Sequence, residues 1–310
     1  MDPGFESRLA RRREQVRRRA IVRRRIIFGC AGGVLLAAVL VLLFVRGSDD
    51  PGSSPSPPAT AAEGKPAKSQ PDTAPAGDQR GGAQPDDSWK PYTGPVPILM
   101  YHVIGDPEGE VPFLDLWLSE SDFQDQVDWL EENGYTAVTL VQVQNAWYDG
   151  GTLPPKPIVL SFDDGVLGQY LFGMPILEEK GWAGQLNLKA EGSDLSSEQV
   201  RKMYRAGWEI ASHTITHPDL TTLDAAGLEQ ELAGSKAQLE KQLGVEIVNF
   251  CYPAGQYNDT VIEAVKAAGY RGATTVNPGL GEKSMPFELN RIRINRGDDA
   301  GRLAEKLTSA

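Results

Sequence analysis

The chain has 310 residues, of which 40% are hydrophobic and 24% are charged, a balance typical of a globular protein and not of a disordered or fibrous one. Residues 93–310 carry 16 Lys and Arg against 32 Asp and Glu, so this acidic part repels phosphate backbones, which excludes nucleic acid as its partner. Two cysteines, Cys30 and Cys251, are too few for a disulfide framework or a cysteine-rich metal site.

The first 45 residues predict a membrane anchor. Residues 1–25 contain ten Arg and three acidic residues, whereas residues 26–45 are apolar and uncharged. Twenty helical residues span about 30 Å, the thickness of the hydrocarbon core of a bilayer. We therefore expect a single-pass transmembrane helix over 26–45 that contacts the lipid bilayer, with the basic tail in the cytoplasm and the remainder of the chain outside the cell.

Residues 46–92 predict a linker. From residue 47 to 92 the chain is rich in Pro, Gly, Ser and Ala and contains no Val, Ile, Leu, Met or Phe. Such a segment buries too little apolar surface to offset the entropy of ordering it, so we expect it to be disordered. A tethered domain on the outer face of a membrane suggests a substrate such as a cell-wall or surface polymer.

From Thr93 onward short apolar runs alternate with segments of helical periodicity. Helices are predicted over Ser119–Asn133 and Asp224–Leu243, which stop at Gly134 and Gly244. The predicted strands are Pro97–Tyr101, Thr136–Leu140, Pro157–Phe162, Gln185–Lys189, Trp208–His213, Glu246–Tyr252, Arg271–Val276 and Arg291–Ile294.

This order predicts an α/β fold over residues 93–310. Seven or eight βα units suggest a parallel sheet closed into a barrel. An open doubly wound sheet is the alternative, but no Gly-rich phosphate loop follows the first strand.

Two histidines four residues apart, His213 and His217, follow a predicted strand. Such a pair is common in zinc sites, because each neutral imidazole offers one nitrogen to the metal. In isolation the pair is more often two surface or capping residues.

Adjacent carboxylates end another predicted strand, at Asp163 and Asp164. Neighbouring strand residues point to opposite sides, so one can bind a metal while the other faces elsewhere. Asp-Asp-Gly is by itself an ordinary turn, but two His and one Asp form the ligand set of a catalytic zinc site with an open position. Asp163 then serves as a general base. His102, at the end of Pro97–Tyr101, is the remaining side chain suited to a general acid near neutral pH.

Ser161-Phe-Asp-Asp-Gly165 and His213-Thr-Ile-Thr-His217 resemble two motifs of the polysaccharide deacetylase (NodB homology) family of metal-dependent carbohydrate esterases. The resemblance covers about residues 93–305 and implies a distorted (β/α) barrel of about seven strands. It also implies Asp163 as catalytic base and Asp164, His213 and His217 as metal ligands. The family hydrolyses N-acetyl, and less often O-acetyl, groups on polysaccharides.

The sequence departs from the family pattern at three places. The third motif commonly reads FRPPYG, whereas Phe250-Cys-Tyr-Pro-Ala-Gly255 stands here, so Cys251 replaces the Arg that orients the base; Arg291 or Arg293 is a candidate substitute. The Asp-rich fourth motif is not recognisable around 274–277. The late strand that ends in the acid His is absent, and the strand before His102 resembles that strand moved to the front. This arrangement resembles the permuted branch that includes poly-N-acetylglucosamine deacetylases.

The sequence thus predicts metal-dependent N-deacetylation of an extracellular polysaccharide that contains N-acetylglucosamine, either peptidoglycan or poly-N-acetylglucosamine. Zn²⁺ is the favoured cofactor, and Co²⁺, Ni²⁺ or Mn²⁺ are alternatives. A backbone N–H near Tyr252 and Pro253 is expected to contact the substrate's developing oxyanion.

Two other functions are compatible with parts of the pattern. A glycosidase needs two carboxylates that flank the scissile bond, which the adjacent Asp163 and Asp164 suit poorly. A wall-binding module that keeps the metal but lacks catalysis is the alternative suggested by the missing Arg. No protein partner is inferred from the sequence.

Overall fold

The computed structural model describes residues 82–107 and 109–310. The predicted cytoplasmic tail, the anchor over 26–45 and most of the predicted linker lie outside these residues. Within the described part, no helix combines the length and apolar character that crossing a bilayer requires.

Twelve strands occur in the described residues. In chain order they are β1 Lys90–Pro91, β2 Ile98–Tyr101, β3 Val103–Ile104, β4 Trp117–Leu118, β5 Thr136–Ala137, β6 Thr152–Leu153, β7 Pro157–Asp163, β8 Gln185–Leu188, β9 Glu209–Ser212, β10 Asn249–Cys251, β11 Gly272–Thr274 and β12 Ile292–Arg293.

Eight α-helical segments accompany these strands in the described part of the chain. They are α1 Glu120–Glu132, α2 Leu140–Tyr148, α3 Met174–Glu178, α4 Ser197–Arg205, α5 Ala225–Glu229, α6 Ser235–Leu243, α7 Asp259–Ala267 and α8 Ala300–Ser309. π-Helical turns at Gln169–Gly173 and Gln230–Gly234 lead into α3 and α6.

Seven strands form one curled parallel sheet in the order β11-β10-β9-β8-β7-β2-β12, and β5 also pairs with β7. The two ends of this order approach each other, because Leu289, just before β12, forms a parallel bridge with Thr274 of β11. Every residue of β7 is buried, as expected for a central strand covered on both faces. The α/β class and the count of seven sheet strands agree with the sequence prediction.

Helix boundaries follow from local capping. Ser119 accepts a hydrogen bond from the Asp122 N–H and begins α1, and Gly244, with φ of 73°, ends α6. The predicted strand Thr136–Leu140 is shorter than expected. Thr139 and Gln142 form a capping box that begins α2, and these bonds divert the chain from the extended conformation.

Packed structure begins before Thr93. Trp89 is buried with Trp147 and Leu153, and β1 pairs antiparallel with β6. The last eleven residues assigned to the linker, 82–92, are therefore part of the described fold, held there by buried Ala83 and Trp89 and by the pairing of β1 with β6.

Candidate active site

The carboxyl ends of the parallel strands bring the predicted catalytic residues together. Tyr101 of β2 lies opposite Phe162 of β7, so the residues that follow them, His102 and Asp163, become neighbours. His102 Nε2 lies 3.7 Å from Asp163 Oδ2. In the other direction from β7, Asp163 is in register with Asn187 of β8.

Asp164 turns away from the strand that delivers it. Its backbone adopts φ of 76°, in the left-handed region, and Gly165 follows with φ of 71°. Asp tolerates this region better than most residues, but the conformation still costs energy outside Gly. The turn separates the directions of the two adjacent carboxylates, which leaves Asp164 to face the histidine pair.

Asp164, His213 and His217 form a compact set of possible metal ligands. Asp164 Oδ1 lies 3.9 Å from His213 Nε2 and 3.8 Å from His217 Nε2. Ligand atoms about 2.0–2.1 Å from a tetrahedrally coordinated metal lie roughly 3.3 Å apart, so small side-chain adjustments bring these atoms to one cation.

The histidine rings are oriented as a metal site requires. His213 Nδ1 lies 2.8 Å from the Cys251 carbonyl oxygen, which accepts a hydrogen bond from a protonated Nδ1, so Nε2 is the nitrogen that faces Asp164 and the position of a metal. Burial lowers the pKa of His217 and favours the neutral imidazole. The donor set therefore fits a divalent cation with an open position.

A buried carboxylate holds the loop between the two histidines. Glu231 Oε2 accepts hydrogen bonds from the N–H groups of Ile215 at 2.8 Å and Thr216 at 3.0 Å, and Oε1 accepts from the Thr216 hydroxyl at 2.8 Å. His217 itself has φ of 63°. These bonds help to hold the loop in a strained conformation that turns His217 back toward His213.

The guanidinium of Arg291, the residue immediately before β12, forms a bidentate ion pair with Asp163. Arg291 donates to Asp163 Oδ1 and Oδ2 at 2.8 Å each, and to the Thr275 carbonyl at 2.6 Å. Arg291 is 1% exposed and Asp163 3%. Burial alone would raise the pKa of Asp163, but the charge and hydrogen bonds of Arg291 outweigh it and hold this pKa well below its usual range.

Two amides complete the surroundings of Asp163. Asn187 Nδ2 donates to Asp163 Oδ1 at 2.7 Å. Gln169 Nε2 donates to the backbone carbonyls of Asp163 and His102 at 2.6 Å and 2.8 Å. Gln169 therefore ties the end of β7 to the end of β2, which fixes the spacing between the predicted base and the predicted acid.

Cys251 occupies the position where the family motif has Arg. Its Sγ lies 3.9 Å from both carboxylate oxygens of Asp163, and burial raises the pKa of the thiol to about 12. Asp163, His213 and Cys251 also lie close enough to form a ligand group. A protonated thiol and a carboxylate bound by Arg291 suit a metal less well than the Asp164 set.

His102 lies in a different environment from Asp163. Its Nδ1 is buried and has no hydrogen-bond partner among the described residues. Burial lowers the pKa of His102, and this outweighs the opposing charge of Asp163. The imidazole is therefore neutral near pH 7, and it must gain a proton during a reaction before it can donate one to a leaving group.

The N–H expected near Tyr252 and Pro253 is not that of either residue itself. The Tyr252 N–H donates to the Thr274 carbonyl in the sheet, and Pro253 has no N–H. The next N–H belongs to Ala254, whose φ is 48°. The Tyr252 ring is buried, stacks on Tyr257 at 4.7 Å and donates its hydroxyl to the Phe287 carbonyl, so these two residues support the pocket wall.

Sequence reasoning missed three contributors. Asn187 and Gln169 are neutral side chains in apolar surroundings, and only their partners show what they do. Glu231 lies on the polar stretch of a predicted helix, where a carboxylate is ordinarily solvated. Of the two substitute residues considered for the motif Arg, the structure brings Arg291 against Asp163.

Comparison with known proteins agrees with this geometry. Residues 150–273 match the family model described as polysaccharide deacetylase, which confirms the resemblance seen in the two motifs. The matched segment contains Asp163, Asp164 and the histidine pair, whereas His102 and Arg291 lie outside it. His102 is expected to lie outside this match if the strand that carries the acid His has moved to the front of the domain.

Individual relatives show the same similarity. A putative polysaccharide deacetylase of Bacillus subtilis, YxkH, is 28% identical over 207 residues, which cover 65% of this chain and 72% of the relative. The poly-beta-1,6-N-acetyl-D-glucosamine N-deacetylase of Escherichia coli K12 is 24% identical, and the match covers 70% of this chain but 39% of that enzyme. The solved structure of the Streptococcus pyogenes deacetylase PplD with acetate superposes with a TM-score of 0.64 at 26% identity, covering 69% of this chain and 99% of PplD.

Proposed function

We propose that this chain, a polysaccharide N-deacetylase, removes acetyl groups from an extracellular polysaccharide that contains N-acetylglucosamine, either peptidoglycan or poly-N-acetylglucosamine. The observation that carries the proposal is that two separate sets of side chains lie side by side at the carboxyl ends of the sheet strands. Asp164, His213 and His217 converge within 4.8 Å as a ligand set. Asp163 and His102 lie beside them, 3.7 Å apart, as a base and acid pair.

Asp164, His213 and His217 hold the proposed divalent cation, for which Zn²⁺ is the favoured identity. When bound, such a cation supplies Lewis acidity to the acetyl carbonyl and lowers the pKa of water at the site. The ligand set equally accepts Co²⁺, Ni²⁺ or Mn²⁺, and metal identity is part of the proposal.

Asp163 accepts the proton of the attacking water as its oxygen bonds to the acetyl carbon. Arg291 and Asn187 hold both carboxylate oxygens at 2.7–2.8 Å, so the carboxylate is ionised and oriented before substrate arrives. Positioning of this kind removes much of the entropic cost of the step. A proton on Asp163 is also more acidic than that of an ordinary carboxylic acid, so it passes on readily.

His102 carries that proton to the leaving nitrogen. Its Nε2 lies 3.7 Å from Asp163 Oδ2. Proton transfer to the amine nitrogen accompanies cleavage of the C–N bond, and the products are acetate and a free amine on the sugar. Because His102 starts neutral, the reaction uses the proton taken from water and needs no second proton donor.

The proposed location follows from the segments outside the described residues. The uncharged run over 26–45 supplies a membrane anchor, residues 46–81 supply a linker, and the domain that begins at residue 82 is the catalytic domain on the outer side of the cell. Peptidoglycan and surface poly-N-acetylglucosamine both lie within reach of such a domain. Relatives whose names state poly-N-acetylglucosamine and N-acetylmuramic acid deacetylation support this choice of substrates.

The experiment is acetate release by the full chain from N-acetylglucosamine oligomers and from peptidoglycan, after chelation and after Zn²⁺ is restored. We expect release that is lost on chelation and recovered with metal. Release of reducing sugar without acetate would support a glycosidase instead. A folded protein that binds metal and polymer but releases no acetate from either substrate would support the binding module. That alternative was suggested by the missing motif Arg, and Arg291 now occupies the corresponding place beside Asp163.

A further inference from the structure

The inner face of β8 carries a polar series. Gln185, Asn187 and Lys189 are two residues apart, so they point to the same side of the strand and its continuation. Gln185 donates to Asn187 at 3.1 Å, and Asn187 donates to Asp163. Lys189, immediately after β8, brings its ammonium to 3.8 Å from Asp164 Oδ1.

The Lys189 ammonium is poorly satisfied where it lies. A separation of 3.8 Å is beyond hydrogen-bonding distance, and within residues 82–107 and 109–310 the structure shows no hydrogen bond from this group. Its side chain is 22% exposed. Lys180, by contrast, reaches Asp128 and Glu131 at 2.7 Å and 2.5 Å. A partly buried ammonium without an acceptor is costly, so this position is suited to an anionic partner.

The charges around Lys189 also favour an anionic partner. Arg291 and Asp163 neutralise each other as a bidentate pair. Asp164 then remains as the nearby carboxylate for both the proposed cation and Lys189. When a divalent cation takes Asp164 as its ligand, the ammonium and the cation leave the pocket with excess positive charge, which an incoming carboxylate offsets.

We propose that Lys189 forms a carboxylate-binding position beside the Asp164–His213–His217 set, an inference that rests on the proposed deacetylase function. Two sources supply a carboxylate at this place. One is the acetate that the reaction releases, and the other is a carboxylate on the sugar next to the acetylated nitrogen, as in N-acetylmuramic acid. In either case Lys189 is a specificity-determining residue of the site.

The test uses the full chain in four forms: wild type, Lys189→Met, Lys189→Arg and the control Lys241→Met, which changes an exposed lysine on α6. Sodium acetate is titrated calorimetrically into each Zn²⁺-loaded protein, and Zn²⁺ into each metal-free protein. The ratio of kcat/KM for an oligomer with free N-acetylmuramic acid carboxylates to that for a neutral N-acetylglucosamine oligomer is then measured.

We expect Lys189→Met to lose at least tenfold in acetate affinity or in the kcat/KM ratio, with Lys189→Arg and Lys241→Met within about threefold of wild type. Loss of acetate affinity alone identifies the reaction product as the ligand, and loss in the ratio identifies the sugar carboxylate. Unchanged values in both assays would overturn the proposal. So would a tenfold loss of Zn²⁺ affinity, which would show that Lys189 only positions Asp164. Acetate binding is read without turnover, so an inactive wild type would refute the proposed function separately.

Discussion

Removal of the Arg291 guanidinium tests how the base is held. Arg291→Met keeps most of the side-chain volume but leaves Asp163 buried without its charged partner. Breaking a buried ion pair from one side costs about 3–5 kcal/mol, and both side chains here are at most 4% exposed. Divided by 1.36 kcal/mol per pKa unit, this predicts that the pKa of Asp163 rises by about 2–4 units.

The sign of the stability change follows from the depressed pKa of Asp163. In the wild type the pair stabilises the fold at every pH above the unfolded pKa of about 3.9, and this stabilisation is lost as the pH falls through the folded pKa. The difference in the free energy of unfolding between wild type and Arg291→Met should therefore be largest above about pH 4. Below that pH the difference in the free energy of unfolding between the two proteins should become smaller.

Two measurements check this reasoning. Urea unfolding of the metal-free proteins is followed from pH 3 to 8, and the acid limb of kcat/KM is measured with metal content determined at each pH, because the histidine ligands also protonate in acid. Arg291→Lys, which keeps a charge but not the bidentate geometry, should lose less stability than Arg291→Met. Arg302→Met, which removes an exposed arginine paired with Glu305, is the control. An Arg291→Met protein with the wild-type acid limb and a stability within about 0.5 kcal/mol would refute the argument.

Three further predictions concern the rest of the site. Asp163→Asn should lower kcat by about 10²–10⁴ while calorimetric Zn²⁺ affinity stays within a few-fold; loss of metal would mean that Asp163 is itself a ligand. Glu231→Gln should lower Zn²⁺ affinity by about 10–100-fold, since it loosens the loop that aims His217, and an unchanged titration would contradict that role. His102→Gln should reduce the loss of stability that wild type shows as the pH falls below the unfolded pKa of about 6.5, because burial lowers the folded pKa of His102, whereas His217 keeps its own share of that loss; equal pH dependence of unfolding in both proteins would disprove it.

Local signals were enough to predict most of the sheet. The seven predicted strands of the main sheet, from Pro97–Tyr101 to Arg291–Ile294, match observed strands because some are short apolar runs, such as Pro157–Phe162, and others alternate polar and apolar residues, such as Gln185–Lys189. The ends of three such runs carry His102, Asp163 and His213, and parallel pairing alone brings strand ends together. These three residues could therefore be predicted to lie close together from their positions at the ends of predicted parallel strands.

Contacts between distant parts of the chain had no comparable signal. Arg291 is 128 residues from Asp163, and nothing in its neighbours distinguishes it from Arg293. Glu231 looks like any helical surface carboxylate until the loop above it is placed. The N–H expected near Tyr252 and Pro253 was not assigned to one residue, because the pairing of the Tyr252 N–H with Thr274, which leaves the N–H of Ala254 as the next along the chain, is a property of the sheet.

The packing of Trp89 shows why amino-acid composition alone did not locate the end of the linker. Two aromatic residues, Trp89 and Tyr92, do not change the average composition of a Pro-, Gly- and Ser-rich stretch. The burial of Trp89 with Trp147 and the packing of Tyr92 against the same cluster nevertheless bring residues 82–92 into the described fold. Composition therefore locates a linker, but a few packed side chains decide where it ends.

Arg291 lies near the C-terminal end of the domain, which matters for biosynthesis of the protein. Chains are synthesised from the amino terminus at about 5–20 residues per second, so Asp163, Asp164 and both histidines exist for several seconds before Arg291 is added. During that interval the base carboxylate lacks its guanidinium, and the segment that bridges the two edges of the sheet is missing. A chain truncated before Arg291 therefore carries all three proposed metal ligands but lacks the guanidinium that orients Asp163, so the complete site draws on residues from both ends of the domain.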